Sequence, residues 1–179
     1  LGEELRSRRY LRLLAQLQAW LRHPQLTAMG EEPAQDWLVE WKTPVLAGLL
    51  IHPGWRASDP DRDALALHEL RKRIKQARYG LTNLVELDSQ PLAPWLGRFK
   101  AIQDNLGALN DLQVLEQALA DQLGGELAKE LPELSQQVQT QKHQLFQQWQ
   151  EQACSMVAEP GRRALHGLLC PGWPCPSQG

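Results

Sequence analysis

A chain of 179 residues, 42% hydrophobic and 22% charged, has the composition of a globular protein with room for one core or two small lobes. Its formal net charge of −2 excludes a generally basic nucleic-acid coat, so any strong positive field is local. No apolar run approaches the about 20 residues a bilayer-spanning helix needs, and three cysteines are too few for a disulfide scaffold. The chain opens on Leu1 inside helix-like sequence and reads as a piece of a longer protein. A reducing, cytoplasmic setting without a membrane partner is the expectation.

The elements follow in chain order. Over 5–21, Leu5, Leu13, Leu14, Leu17, Trp20 and Leu21 recur at helical spacing, with Arg6, Arg8, Arg9 and Arg12 alongside. Residues 24–33 read as a loop. A shorter helical stretch over 36–50 carries Trp37, Leu38, Trp41, Val45, Leu46 and Leu49, and Pro44 within it predicts a helix start or kink. After a second loop, Asp59 and Pro60 read as the N-cap and first residue of a long helix over 61–87. A third helix is predicted over 92–106, closed by Gly107 as a C-terminal glycine cap. Asn110 then caps a helix that runs to Leu123 and ends at Gly124 and Gly125. The last helix, over 132–153, is rich in glutamine and has Leu134, Val138, Leu145, Phe146 and Trp149 as its apolar seam.

No strand-period segment and no glycine-rich phosphate loop appears. The fold class is therefore all-α: an antiparallel four-helix bundle plus an additional N-terminal helix. The organisation is a first segment over 1–58, the bundle over 59–157, and a Pro/Gly/Cys-containing tail over 158–179 read as disordered. His166, Cys170 and Cys175 fit no common zinc spacing, so no metal and no cofactor is expected.

The helix over 61–87 carries the most informative pattern. Steps of three and four place His68, Arg71, Lys72, Lys75 and Tyr79 on one face, with Arg78 at its edge. Leu67, Leu70, Ile74, Ala77, Leu81 and Leu84 form a different, apolar face. The basic face repels itself: Arg71 meets Lys75, Lys72 meets Lys75, and Lys75 meets Arg78. Each pair costs roughly 0.2–0.5 kcal/mol in an isolated helix. Only Glu69–Arg73 interleaves an acid, off to one side. An anion lying along the face is the best account of it.

The segment His68-x-x-Arg71-x-x-x-Lys75-x-x-Arg78-Tyr79 resembles the signature of the CHAD domain, the conserved histidine α-helical domain. The run Phe99 to Asp111, with Gln103-Asp104, Leu106-Gly107 and Asn110-Asp111, resembles that family's second motif. Arg8-Arg9-Tyr10-Leu11-Arg12-Leu13-Leu14, followed by Trp20-Leu21, is similar to the helix that closes the first repeat of such domains. The resemblance implies an all-helical protein built from two related four-helix bundles, without catalysis of its own, that binds inorganic polyphosphate on basic helix faces. It implies His68, Arg71, Lys75 and Arg78 as binding residues, with Lys72, Lys100 and Arg9 added from their positions. It also implies polyphosphate or polyester granules as a setting and a CYTH-type triphosphate-processing domain as a fusion partner. The first repeat's own histidine-and-arginine helix is absent from this sequence.

These residue types suit a polymer with no bases to read. Arginine forks onto phosphate oxygens and lysine supplies a mobile point charge. The seven tryptophans do not alternate with the basic residues, so specific nucleic-acid binding is not expected. Dispersed acids argue against an enzyme that holds a divalent metal. The second function class is phosphotransfer, because His68-Glu69-Leu70-Arg71 also resembles the phosphoacceptor box of histidine-kinase dimerisation helices. Lys72-Arg73 stands where that box has Thr-Pro. Five phosphate contacts predict a roughly hundredfold loss of affinity over a fourfold rise in salt, and His68 predicts tighter binding below neutral pH.

Overall fold

The structure is a computed structural model that describes residues 2–88, 92–125 and 127–169. The described residues form α-helices, short 3-10 turns and loops, with no strand among them. The chain falls into two units, Leu1–Asp36 and Trp37–Gly179.

The first unit is built on α1 (Arg8–Arg22). Ser7 caps it, its hydroxyl accepting the Tyr10 N–H at 3.2 Å. The helix contains no acid, and Leu13, Leu14, Leu17, Trp20 and Leu21 are exposed along it.

The second unit holds α2 (Leu38–Leu50), α3 (Ala64–Thr82), α4 (Ala93–Gln122), α5 (Leu127–Glu130), α6 (Pro132–Val157) and α7 (Glu159–Gly167). α4 lies between α3 and α6, α2 packs on the other side of α3, and α7 packs on α6. Leu70, Ile74, Ala77 and Leu81 recur at i, i+4, i+7 and i+11, and all four are buried. They meet Phe99, Ile102, Leu106 and Leu109 of α4, with Phe146 and Trp149 of α6 beyond, in one core. Each large apolar side chain buried there contributes about 1.5–3 kcal/mol.

The helix boundaries depart from the sequence expectation in several places, and the helix expected over 61–87 is the shorter α3, with turns over 60–63 and 83–87. The helices expected over 92–106 and 110–123 are one helix, α4, that passes through Gly107 and Asn110. A glycine cap needs left-handed backbone, and only Gly124 (φ 63) and Gly125 (φ 87), which do end α4, have positive φ among the described residues. Ile102, Leu106 and Leu109 keep one helical apolar face buried across the supposed turn, and that burial overrides the local signal. α2 runs through Pro44, held by Leu46 and Leu49, both fully buried. Residues 159–167, read as disordered tail, form α7, and Leu165 and Leu168 join the core. Cys170 and Cys175 lie outside the described residues.

The turn before α3 is pinned by carboxylates. Asp59 accepts the N–H groups of Asp61 and Arg62 at 3.0 and 2.8 Å. It thus caps that turn instead of α3, which begins at Ala64. Asp63 accepts those of Ser58 and Asp59 at 2.7 and 3.1 Å. These backbone hydrogen bonds hold both carboxyls below the usual aspartate value. The 3-10 turn Pro53–Arg56 lies close against α3: a Cβ on Gly54 would stand 2.6 Å from the Ala66 carbonyl oxygen. Trp55 donates its indole N–H to the Leu49 carbonyl at 2.7 Å and closes α2 onto that turn.

Two buried lysines tie distant segments. Lys42 of α2 bonds Asp88, beyond the end of α3, at 2.6 Å, with side chains 1% and 3% exposed. Lys142 of α6 is 1% exposed and bonds both Asp61 and Glu116, the latter at 2.6 Å. Burial alone pushes the Lys142 ammonium down, but the hydrogen bonds and charges of Asp61 and Glu116 outweigh it and raise it above the ordinary lysine value. A raised lysine binds its proton more tightly in the folded state. Its contribution is therefore complete below about pH 10.4 and is lost as pH climbs through the folded value.

Removing the acids is predicted to cost more than removing the lysine. Asp61→Asn/Glu116→Gln strands a buried ammonium and should destabilise by roughly 3 kcal/mol, the low end for a broken buried pair, since Asp61 itself reaches water. Lys142→Met leaves two carboxylates that are 59% and 28% exposed, and should cost less. Urea unfolding of both variants at pH 7 checks the order. The reverse order would mean that packing of the lysine stem, rather than its charge, is what holds α6 to α4.

Candidate anion-binding seam

α3 and α4 run antiparallel, and the chemistry-bearing residues of each meet across their seam. His68 Nδ1 is 2.8 Å from Asn110 Oδ1. Arg71 lies over Gly107, where a Cβ would stand 3.3 Å from its Nε. Arg78 donates its Nε–H to Gln103 Oε1 at 3.1 Å. As the α3 number rises from 68 to 71 to 78, its partner falls from 110 to 107 to 103. The first two pairs share one antiparallel register, and Arg78 reaches Gln103 three residues off it, so the second sequence motif lies along the first.

Charge is distributed unevenly along this seam. Arg71, Lys75 and Arg78 make no ion pair with a carboxylate among the described residues. Lys75 is exposed, whereas Arg71 and Arg78 are half-buried. Arg78 stacks its guanidinium 4.5 Å from the Tyr79 ring centre, and Lys75 stands 6.0 Å from the same ring. Tyr79 is 52% exposed, so it spaces these two cations rather than packing on a neighbouring helix.

The other candidates sit differently. Lys72 pairs with Glu69 at 2.9 Å, both about half exposed, and lines a hollow of about 250 Å³ with His52, Arg73 and Gln76. The acid expected to pair with Arg73 thus pairs with Lys72, and Arg73 reaches Gln76 at 3.3 Å instead. The Lys72 bond pulls Glu69 below the usual glutamate value. Burial pushes His52 down, with Arg73 acting in the same direction and Glu69 against it. Lys100 pairs with Asp104 at 2.5 Å on the exposed side of α4. Two cations read as free for an anion are therefore balanced in the unbound protein. Arg9 is exposed on α1, in the first unit.

Asn110, expected as a helix cap, is a mid-helix partner of His68. Gln103 holds Arg78, as a polar group behind a binding residue is expected to do. Gly107 was read as a helix stop and is instead the floor under Arg71. A signal for both lay in the spacing: three residues separate His68 from Arg71, and three separate Asn110 from Gly107, as antiparallel neighbours require.

The seam presents guanidinium and imidazole groups held against α4 beside a mobile ammonium, over nearly three helical turns or roughly 15 Å. That arrangement has the chemistry to suit an extended, multiply charged anion. Among the described residues no group of three or more His, Cys, Asp or Glu is placed to hold a metal ion, and no helix is long and apolar enough to cross a membrane.

A family model described as CHAD domain matches residues 1–120, which include all of α3 and most of α4. Neither the comparison with curated proteins nor that with solved structures finds a match.

The Asn110 carbonyl can only accept, so His68 carries its proton on Nδ1 and leaves Nε2 without one in the neutral ring. Nitrogen-15 shifts of the imidazole in the native protein at neutral pH should report the Nδ1–H tautomer. In Asn110→Ala that preference should disappear. An Nε2–H tautomer in the native protein would show that Asn110 does not orient the ring.

Proposed function

Since the chain belongs to the CHAD domain family, known for polyphosphate binding in general, we propose that it binds inorganic polyphosphate along the α3–α4 seam without catalysing a reaction on it. The observation that carries this reading is that Arg71, Lys75 and Arg78 stand side by side with no carboxylate partner among the described residues. Like charges this close favour an external anion, and nothing in the seam reads a base or a sugar. Arg71 and Arg78 supply forked donors held from behind by α4, Lys75 supplies a mobile charge, and His68 adds a donor when protonated.

Lys72 and Lys100 take part only by exchanging Glu69 and Asp104 for phosphate. Exposed ion pairs of this kind contribute about 0–1 kcal/mol, so the exchange is cheap but adds little net charge. Arg9, on α1 of the first unit, is proposed as a phosphate contact from the family resemblance alone. The setting we infer is cytoplasmic, at polyphosphate or polyester granules, with any triphosphatase activity residing in a fused CYTH-type domain. Phosphotransfer at His68 is the rival reading, and acid-labile phosphate on that residue would be its signature.

Three unpaired cations set the expected salt dependence. At about −0.7 per contact, three contacts predict roughly a twentyfold loss of affinity over a fourfold rise in salt, instead of the hundredfold that five would give. Calorimetric titration with long polyphosphate, triphosphate and a DNA oligomer of matched charge should rank long polyphosphate first. Arg71→Ala/Lys75→Ala should weaken it by at least about tenfold, from the loss of charge-assisted hydrogen bonds. A salt slope near zero, or an unchanged double variant, would remove the seam as the binding surface.

A further inference from the structure

Gly107 sits in the middle of a 30-residue helix, where glycine is the poorest helix former after proline. Nothing in the backbone asks for it, since its φ is not positive. It is buried, and the space its missing side chain leaves is occupied by Arg71. A Cβ at 107 would stand 3.3 Å from Arg71 Nε, 3.6 Å from Nη2 and 3.9 Å from Cζ. The guanidinium plane therefore lies against bare α4 backbone. A second observation concerns what holds it there: Arg71 Nε is buried without a hydrogen-bond partner among the described residues. Arg78, by contrast, has Gln103, and His68 has Asn110. Arg71 is placed by shape alone.

We propose that Gly107 is a positioning residue for anion binding, its missing Cβ forming the seat that fixes the Arg71 guanidinium before the anion arrives. This rests on the polyphosphate reading of the seam. An arginine free in water samples many rotamers and loses that freedom on binding. Seated on Gly107, it has already lost it, and burial of Nε leaves the Nη groups for phosphate. A methyl group at 107 would stand in tight contact with Nε and push the guanidinium off its seat by a few tenths of an ångström. Gly48 of α2 is the internal contrast: a Cβ there would meet Arg73 at 3.6 Å or more, an ordinary contact.

The test is a double-mutant cycle on the whole chain, with long polyphosphate as probe. Gly107→Ala should keep or raise the unfolding midpoint, because alanine favours the helix, yet weaken binding by roughly two- to tenfold. In an Arg71→Ala background the same change should cost nothing further. Gly48→Ala should leave affinity unchanged. A readout without ligand accompanies these: the Arg71 Nε–H should exchange slowly in the native protein and faster in Gly107→Ala. If Gly107→Ala does not fold but Gly107→Ala/Arg71→Ala does, the contact is again shown to be Arg71's seat. Equal affinity of Gly107→Ala and native protein, or an equal loss in the Arg71→Ala background, overturns the proposal. A native protein that binds no polyphosphate overturns the reading beneath it instead, and the exchange rates still decide whether Gly107 fixes Arg71.

Discussion

The antiparallel contact of α3 with α4 is the constraint on which the rest of this unit depends. Its register is set by apolar residues: Leu70, Ile74, Ala77 and Leu81 on one helix, Phe99, Ile102, Leu106 and Leu109 on the other. Every one of these is nearly or fully buried, so a shift by one turn would move several from core to water. That penalty, at about 1.5–3 kcal/mol per side chain, far exceeds any preference the polar seam could express. The polar partners therefore inherit their alignment from the core. His68 falls opposite Asn110 and Arg71 opposite Gly107, and Arg78 comes within reach of Gln103, in the register the apolar core sets.

The same core carries the electrostatic cost of the site. Three like-charged contacts on α3, at a few tenths of a kcal/mol each, amount to about 1 kcal/mol of repulsion. One well-buried aliphatic side chain offsets that. The unit can therefore leave Arg71, Lys75 and Arg78 unneutralised without threatening its fold. Elsewhere it treats charge oppositely. Lys42 and Lys142, each 1% exposed, both have carboxylate partners, because an unpaired buried ammonium would cost several kcal/mol. Cations that hold the fold together are paired with acids. Those on the seam lie at its half-open edge, where solvation makes the absence of an acid tolerable.

The sequence made the all-helical class, the polar and apolar faces of α3 and the seam of α6 legible, since each rests on periodicity within one element. It misled where a local signal and a tertiary one competed. Gly107 and Asn110 are strong cap and stop residues taken alone, yet Leu106 and Leu109 are buried around them and keep α4 continuous. Pro44 deletes one hydrogen bond of α2, while Leu46 and Leu49, both fully buried, hold the helix in place. The composition of 159–167 suggests a loose tail, but Leu165 finds the core. In the seam, the basic row was readable on α3 alone. Which cations were already balanced was not, because Lys72 could pair with Glu69 only by choosing it over Arg73, and that choice is made by rotamers.

The chemistry of the seam's inner side follows from this division. A carboxylate beneath Arg78 would hold it more firmly than Gln103 does, since charge-assisted hydrogen bonds are about twice as strong as neutral ones. It would also cancel the positive charge of the row. A neutral amide fixes the guanidinium and leaves its field intact. Asn110 does the same for His68, and Gly107 goes further by holding Arg71 with no polar contact among the described residues. Three different neutral devices thus line the seam, and for Arg71 and Arg78 they immobilise a cation without neutralising it. The acids nearest the row, Glu69 and Asp104, face Lys72 and Lys100 on the exposed flanks, where water screens them. Of the three unneutralised cations, Arg71 and Arg78 are half-buried and held against α4, and Lys75 stands exposed between them. Held, uncancelled charge of this kind is what the proposed anion reading requires of the row and what a merely basic helix face would lack.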